Sequence, residues 1–154
     1  MKTYSQLIEE CLDTVEEVFP WDLEEELQSD NKPLLLDIRE PEEFNAMHVK
    51  DSMNVPRGVL EQSCEWDFEE TIPELVQARD KPIIVICRSG NRSVLAAYTM
   101  QQMGYENVKS LKTGLKGWTD YEQPLVDNNN QEIDIDDADE YFASKVKPEQ
   151  MRPK

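Results

Sequence analysis

Short runs of apolar residues alternate along the chain with segments in which apolar residues recur at helical spacing. The clearest runs are Leu34–Asp37, which follows Pro33, and Ile83–Ile86, which follows Pro82. Strands that are apolar at consecutive positions are typical of parallel sheets covered on both faces. The alternation of such runs with helical patterns therefore predicts an α/β domain.

Three shorter strands and five helices complete the predicted order of elements. The shorter strands are Val15–Val18, Ser52–Val55 and Val108–Leu111. The helices are Trp21–Leu27, Pro41–Phe44, Asp67–Val76, Asn91–Met103 and Gly114–Trp118. Together they predict a central parallel five-stranded sheet with helices on both faces.

The pattern divides the chain into an acidic helical extension at 1–14, a domain at 15–126 and an acidic C-terminal extension at 127–154. In the first part, apolar residues spaced for one side of a short amphipathic helix lie within 2–13. We expect Cys11 to pack beneath this helix.

The C-terminal extension begins with acidic and amide residues at alternating positions, as an EF-hand loop does. Glu132 stands where that loop needs glycine, and Ala138 stands where it needs a bidentate glutamate. The mismatches argue against a calcium site. We expect a solvated extension with a small anchor through Tyr141 and Phe142.

The distribution of charge limits the classes of molecule that the protein is expected to bind. The chain carries 33 acidic and 16 basic residues, and 10 acidic residues against one basic residue lie within 1–30. Such a surface repels phosphate groups, so nucleic-acid and membrane binding are not expected. A basic protein partner is compatible with it, although acidic surfaces more commonly serve solubility. No apolar run approaches the roughly 18 residues of a membrane helix, and the acidic start does not resemble a signal peptide, so we expect a cytoplasmic location.

The cysteines and the single histidine restrict the chemistry. Three cysteines without a CxxC pair fit a reducing compartment better than a disulfide framework. With one histidine, His48, no zinc cluster can be assembled from the sequence. No metal and no cofactor are therefore predicted.

The segment after the second clear strand carries the strongest chemical signal. Cys87 ends an apolar strand, Gly90 follows in a short loop, and a helical pattern begins at once. Loops at the carboxyl ends of parallel strands build ligand sites, and a helix start directs N–H groups toward an anion. Arg88 and Arg92 add positive charge. We therefore expect Cys87 to be a thiolate nucleophile in an anion cradle.

The two serines of this segment have open roles. Either Ser89 or Ser93 is suited to donate a hydroxyl hydrogen bond to the sulfur, and either is suited to cap the following helix.

Four segments, in order, resemble the single-domain rhodanese family of thiosulfate sulfurtransferase-like proteins. The resemblance runs from about Val15 to Val126. The loop at Cys87–Ser93 resembles the active-site loop of the family, and the supporting segments are Leu34–Phe44, His48–Pro56 and Leu111–Trp118 with Pro124–Leu125. The chain departs from the usual glycines at Met47, Asp51 and Thr113, which puts the local turn geometry in question.

The resemblance implies a three-layer rhodanese-like fold and a sulfurtransferase. In that activity, Cys87 accepts sulfane sulfur from thiosulfate or another persulfide donor and passes it to cyanide or a thiol. The loop residues that would bind the donor are Arg88, Ser89, Gly90, Asn91, Arg92 and Ser93.

Two alternatives stay open. One is a sulfur-relay or binding module that acts with protein partners, such as a sulfur-carrier protein. The weaker one is a cysteine-dependent phosphatase, because Cys87 to Arg92 spans six residues, as in the sulfurtransferases, and phosphatase relatives have a loop one residue longer.

Residues outside the loop have competing interpretations. Asp37 is a candidate for the pocket rim, but a structural ion pair with Arg39 is favoured because buried charges are paired. Arg57 fits a pocket rim or an exposed position equally well. His48 resembles a position that braces the fold.

A redox pairing of Cys64 with Cys87 is possible in principle, but a bystander thiol is favoured because no spacing rule brings the two together. The tryptophans Trp21, Trp66 and Trp118 are expected to be core or subsurface anchors, because aromatic side chains bury large areas.

Overall fold

A five-stranded parallel sheet forms the centre of the protein in a computed structural model that describes all 154 residues. The strands are β1 (Glu16–Val18), β2 (Leu34–Asp37), β3 (Met53–Asn54), β4 (Ile83–Ile86) and β5 (Val108–Leu111). Their spatial order is β1-β5-β4-β2-β3, and every pair is parallel. This confirms the predicted fold class and places β4 in the middle of the sheet.

Eight α-helices surround the sheet. They are α1 (Tyr4–Cys11), α2 (Pro20–Leu27), α3 (Pro41–Ala46), α4 (Leu60–Ser63), α5 (Pro73–Val76), α6 (Arg92–Gln102), α7 (Gly114–Asp120) and α8 (Ile135–Phe142). Short 3₁₀ turns lie at Arg57–Val59 and Pro148–Gln150. Prolines open α2, α3 and α5, because the first turn of a helix needs no N–H donor.

Alternate side chains of β4 enter two separate hydrophobic cores. Ile83 and Val85 pack with residues of α1, α4, α5 and α6, while Ile84 and Ile86 pack with residues of α2, α7 and α8. All four side chains are buried. The sheet is therefore the middle layer of three, which explains why β4 is continuously apolar.

The N-terminal helix is part of the first core. Thr3 caps α1 by accepting a hydrogen bond from the Gln6 amide at 3.2 Å. Ile8 and Cys11 are buried against the core, as the amphipathic pattern predicts, whereas Leu7 is exposed. The predicted helix and the packing of Cys11 are confirmed.

The predicted helix at Asp67–Val76 is wrong over most of its length. Asp67 has a φ of +74°, in the left-handed region, and only Pro73–Val76 is helical. A turn precedes Pro73, in which the Thr71 hydroxyl accepts a hydrogen bond from the Phe68 amide at 3.0 Å. Proline is compatible with the first turn of a helix but not with its interior, so the helix begins at Pro73.

The C-terminal segment is more structured than the predicted solvated extension. Residues of α8 pack against α7, and Ala138 and Phe142 are buried in the second core. Asp134 caps the helix by accepting a hydrogen bond from the Asp136 amide at 2.9 Å. The anchor at Phe142 is confirmed, and Tyr141 is half-buried beside it.

The tryptophans separate into one core residue and two surface residues. Trp118 is buried in the second core, as predicted. Trp21 is 46% exposed and Trp66 is 51% exposed, so the prediction that they are anchors is wrong. Trp21 instead stacks on Phe19 at the surface, with 4.7 Å between the ring centroids.

None of the helices has the length and apolar character that crossing a membrane requires.

Candidate active site

Cys87 follows β4 directly and begins the loop that leads into α6. Its side chain is 1% exposed and lies on the side of the sheet covered by α6. The Cys87 position is thus at the carboxyl edge of the central strand, where parallel sheets form their ligand sites.

Two backbone amides and one hydroxyl group surround the sulfur of Cys87. The Gly90 amide donates to Cys87 Sγ at 3.1 Å, and the Ser93 amide donates to it at 3.3 Å. Ser93 Oγ also lies 3.3 Å from the sulfur. Amide groups at the start of α6 stabilise negative charge at this point. The structure therefore brings Cys87, Gly90 and Ser93 together as the cradle that the sequence predicts.

Two glycines allow the loop to take this shape. Gly90 has a φ of +87°, and a Cβ at that position would lie 2.8 Å from the Thr113 amide nitrogen. Gly114 has a φ of +59°, and a Cβ there would lie 2.5 Å from the Cys87 carbonyl oxygen. Both positions need a residue without a side chain, because the loop and the start of α7 are in close contact.

The first turn of α7 holds the backbone of the loop. The Leu115 amide donates to the Cys87 carbonyl at 2.9 Å, and the Lys116 amide donates to the Arg88 carbonyl at 3.0 Å. These N–H groups have no partner within their own helix, so the loop carbonyls satisfy them.

Two of the three departures from the family glycines keep a glycine-like backbone. Thr113 has a φ of +65° and Asp51 has a φ of +66°. Met47 has an extended backbone with a φ of −168°, which any residue adopts. The departures leave the cysteine cradle intact.

Arg92 is paired with an acidic residue that sequence reasoning missed. Its guanidinium makes two hydrogen bonds to the Glu43 carboxylate, at 2.9 and 3.0 Å. Burial acts to raise the pKa of Glu43, but the hydrogen bonds from Arg92 and from the Glu40 amide hold that pKa below its ordinary value. The hydrogen bonds that Arg92 donates to Glu43 raise the pKa of Arg92, against the effect of burial, and the charge of Cys87 adds to the increase.

Arg88 is directed toward the C-terminal helix. Its Nη2 donates to the Phe142 carbonyl at 2.8 Å and to the Ala143 carbonyl at 3.3 Å, and its Nη1 donates to Ser89 Oγ at 3.2 Å. The hydrogen bonds to Cys87 Sγ do not include one from this guanidinium. The contact with α8 was not foreseen from the sequence.

Asn91 and Ser89 form the exposed part of the loop. Asn91 is the residue before the first turn of α6, but its side chain makes no capping hydrogen bond.

Two further residues at or beside the loop were missed by the sequence analysis. Ser110 on β5 lies with its Oγ 2.7 Å from Ser93 Oγ. Tyr4 on α1 lines a cleft together with Asn91, and burial raises the pKa of Tyr4, with the charge of Cys87 adding to that increase. A small polar residue in a buried strand is a signal for Ser110, whereas no local pattern indicates Tyr4.

Asp37 forms the structural ion pair that the sequence favours. Arg39 Nη2 donates to Asp37 Oδ2 at 2.9 Å, Arg39 Nε donates to Asp37 Oδ1 at 3.0 Å, and neither side chain is more than 1% exposed. Arg39 also donates to the Met47 carbonyl at 2.7 Å. The negative charge of Asp37 is thus neutralised by Arg39 inside the fold.

The remaining candidates have local partners. Arg57 donates to Glu61 at 2.9 Å and to Thr99 Oγ1 at 3.2 Å, and its side chain is 34% exposed. His48 Nδ1 lies 2.8 Å from the Phe44 carbonyl, and its ring stacks on the Phe44 ring. The role of His48 as a brace is consistent with these contacts.

All three cysteines are free thiols, and Cys64 is fully buried. Burial raises the pKa of the Cys64 thiol, which favours its unreactive form. No group of three or more His, Cys, Asp or Glu side chains is arranged to hold a metal ion.

Two open clefts lie beside the loop. One, of about 410 Å³, is lined by Arg88, Glu43 and the segment after α8, and the other, of about 220 Å³, lies between Tyr4 and Asn91. A larger cavity of about 430 Å³, beside Pro33 and Trp118, contains none of the loop residues.

Comparison with known families agrees with this geometry. A family model described as the rhodanese-like domain matches residues 20–121. An adenylyltransferase and sulfurtransferase of Candida albicans is 33% identical over 111 residues, which are 67% of this chain and 23% of that protein. A Schizosaccharomyces pombe protein provisionally named a mitochondrial thiosulfate sulfurtransferase is 30% identical over 94 residues, 59% of this chain and 66% of that protein.

A relative and a solved structure carry other descriptions. A Bacillus subtilis protein provisionally named a sulfur carrier protein is 32% identical over 95 residues, 62% of this chain and 46% of that protein. The structure of a Rhodopseudomonas palustris protein of unknown function, described as a possible tyrosine phosphatase, is 27% identical with a TM-score of 0.72. The match covers 81% of this chain and 95% of that one. The chain thus spans less than two thirds of several of the proteins that it matches.

Proposed function

This chain belongs to the rhodanese-like family, and from that premise we propose that it is a sulfurtransferase with a persulfide on Cys87 as its intermediate. The donor is thiosulfate or another persulfide, and the acceptor is cyanide or a thiol. The observation that carries the proposal is the sulfur of Cys87 held at the end of β4 by the Gly90 and Ser93 amides. The sulfurtransferase names of two relatives support the same class of reaction.

The reaction divides into two displacements. The Cys87 thiolate attacks the outer sulfur of thiosulfate, a new S–S bond forms, and sulfite leaves with the electron pair of the bond that breaks. Cyanide or a thiolate then attacks the outer sulfur of the persulfide, and the Cys87 thiolate is the leaving group. Division of one transfer into two is the advantage of covalent catalysis.

The cradle suits both steps because the Cys87 sulfur is an anion at the start of the first displacement and again, as the leaving group, at the end of the second. In both states it occupies the position that the loop amides face. Fixed N–H dipoles stabilise such charge without rearranging during the reaction. Arg92 adds a positive charge at the edge of the site, although part of that charge is neutralised by Glu43.

A sulfur relay between proteins is the second candidate function. The Bacillus subtilis relative named as a sulfur carrier and the acidic surface favour it, because charged surfaces steer protein partners. The partner would be a sulfur-carrier protein with a complementary basic surface. The three free thiols support a reducing compartment, and we propose the cytoplasm.

Intact-protein mass spectrometry after incubation with thiosulfate tests the proposal. We expect the protein to gain one sulfur atom and to lose it on addition of cyanide, with thiocyanate released over many turnovers. Cys87→Ser should abolish loading completely, because it removes the sulfur acceptor. The matched variant Cys64→Ser should load as the unchanged protein does.

The other outcomes separate the alternatives. Loading that discharges only to a protein acceptor would support the relay. Failure to load from any sulfur donor, together with Cys87-dependent hydrolysis of p-nitrophenyl phosphate, would replace the proposal with a phosphatase.

A further inference from the structure

A chain of two buried hydroxyl groups leads from β5 to the sulfur of Cys87. Ser110 Oγ lies 2.7 Å from Ser93 Oγ, and Ser93 Oγ lies 3.3 Å from Cys87 Sγ. Neither serine is exposed, and Cys87 is 1% exposed. Water therefore has little access to these three side chains, so their hydrogen bonds depend on one another.

The charge state of the sulfur decides the direction of the hydrogen bonds. A thiolate is only an acceptor, so a hydrogen bond between it and Ser93 requires the Ser93 hydroxyl to be the donor. The Ser93 proton is then not available to Ser110, and the short contact between the two oxygens requires Ser110 to donate. Both O–H dipoles consequently point toward the sulfur, and hydrogen bonds arranged in series strengthen one another.

Ser110 has no other hydrogen-bond partner for its side chain in the structure. It lies on the face of β5 that bears Val108, which belongs to the core beneath α6. A small apolar residue would fill this position equally well as far as packing is concerned. Packing alone therefore does not account for the Ser110 hydroxyl. Its role is the hydrogen bond with Ser93, because a buried hydroxyl is costly without a hydrogen bond.

We propose that Ser110 is a positioning residue that directs the Ser93 hydroxyl toward Cys87 and so stabilises the thiolate form of the sulfur. This inference rests on the proposed function in one respect, namely that Cys87 is the nucleophile. It assigns Ser110 no contact with the sulfur donor. The effect on Cys87 passes through Ser93 alone.

Other charged and titratable groups face the same site. The charge of Cys87 raises the pKa of Arg92 on α6 and of Tyr4 on α1, and Glu43 on α3 is bound to Arg92. A substitution at Ser110 leaves all three unchanged. Their influence is therefore constant in a comparison of Ser110 variants.

The rate of Cys87 alkylation by iodoacetamide, measured against pH, tests the proposal without a sulfur donor. Mass spectrometry of the peptide that contains Cys87 separates its reaction from those of Cys11 and Cys64. For Ser110→Ala we expect the midpoint of the pH profile to rise by roughly half a unit, with roughly threefold slower alkylation below the midpoint. For Ser93→Ala we expect a larger rise of about one unit, because that variant removes the direct hydrogen bond to a charged acceptor.

A pair of variants with the same shape separates the hydroxyl from packing. Ser110→Thr retains a hydroxyl and should retain the original midpoint, whereas Ser110→Val has nearly the same volume without the hydroxyl and should behave as Ser110→Ala does. Thermal unfolding of each variant shows whether it is folded under the assay conditions.

Equal midpoints for Ser110→Ala and the unchanged protein, with both proteins folded, would overturn the inference. Equal shifts for the Thr and Val variants would also overturn it, because packing would then be the cause. A protein that alkylates as expected but takes no sulfur from thiosulfate or from any persulfide donor would contradict the proposed function and leave the role of Ser110 intact.

Discussion

The ends of β2 and β4 lie side by side in the sheet, yet they handle charge in opposite ways. Asp37 ends β2, and its carboxylate is bound at both oxygens by Arg39 in a fully buried pair. Cys87 follows β4, and its sulfur faces the neutral amides of Gly90 and Ser93. An arginine follows the end of each strand in the sequence. Only Arg39 is hydrogen-bonded to the side chain at its strand end, which is that of Asp37.

This difference separates a structural site from the site that we propose to be reactive. A carboxylate bound to a buried arginine has its charge neutralised in the resting state, so it has little to offer an incoming ligand. Neutral dipoles instead stabilise an anion while leaving its electron pair available for attack. Both strand ends have an arginine nearby. What distinguishes the two sites is whether the arginine is bonded to the side chain at the strand end.

Breaking the pair at β2 should give the largest effect on stability. Asp37→Asn leaves the Arg39 charge buried without a counter-ion, and we expect it to lower the free energy of unfolding by about 3–5 kcal/mol. Urea denaturation measures this loss. The double variant Asp37→Leu with Arg39→Met removes both charges and should recover most of the stability. A loss below about 1 kcal/mol in the single variant would show that the pair is not buried as described.

Disturbing the loop at β4 should affect activity more than stability. Gly114→Ala places a Cβ against the backbone of Cys87 and Arg88 at a positive φ, so the loop must shift. We expect about 1–3 kcal/mol of destabilisation and sulfur loading slowed on the order of tenfold or more. Gly58→Ala is the matched control, because a Cβ at Gly58 meets nothing within 4 Å. Equal loading rates for the two variants would contradict the close contact between the loop and α7.

Removing the pair between Glu43 and Arg92 should have the smallest effect on stability of the three changes. The pair is partly exposed, so we expect Glu43→Gln to cost less than about 1 kcal/mol at pH 7. Because the pKa of Glu43 is lowered in the folded protein, the contribution is present above the unfolded pKa of about 4.3 and is lost as the pH falls through the folded value.

Urea denaturation at pH 7 and again near pH 3 checks this third prediction. The difference between Glu43→Gln and the unchanged protein should shrink at the lower pH. Glu61→Gln breaks the more exposed pair with Arg57 and serves as the comparison. A difference that grows on acidification would reverse the inferred sign.

The sequence predicted those parts of the molecule in which local pattern and global position agree. The continuous apolar runs at Leu34–Asp37 and Ile83–Ile86 are typical of strands covered on both faces, and both are strands of the parallel sheet. The Cys87 loop was equally predictable from the sequence, because an apolar strand, a glycine and a helix start lie within a few residues.

The parts that escaped prediction depend on contacts between distant segments. Ser110 is a lone serine in a strand, and only the approach of β5 to α6 places it next to Ser93. The spacing of Ile135, Ala138 and Phe142 fits one side of a helix, but the strongly acidic composition obscured it. Asp67 adopts a positive φ that residue type alone did not indicate.

The hydrogen bonds from Arg88 to the end of α8 have a thermodynamic consequence for the whole chain. Docking of α8 and the orientation of Arg88 share two carbonyl acceptors, those of Phe142 and Ala143. By linkage, an anion that draws Arg88 away weakens the docking of α8 by the same free energy with which docked α8 opposes that anion. Any anion that takes Arg88 from these two carbonyls is therefore reciprocally coupled to the attachment of the C-terminal helix.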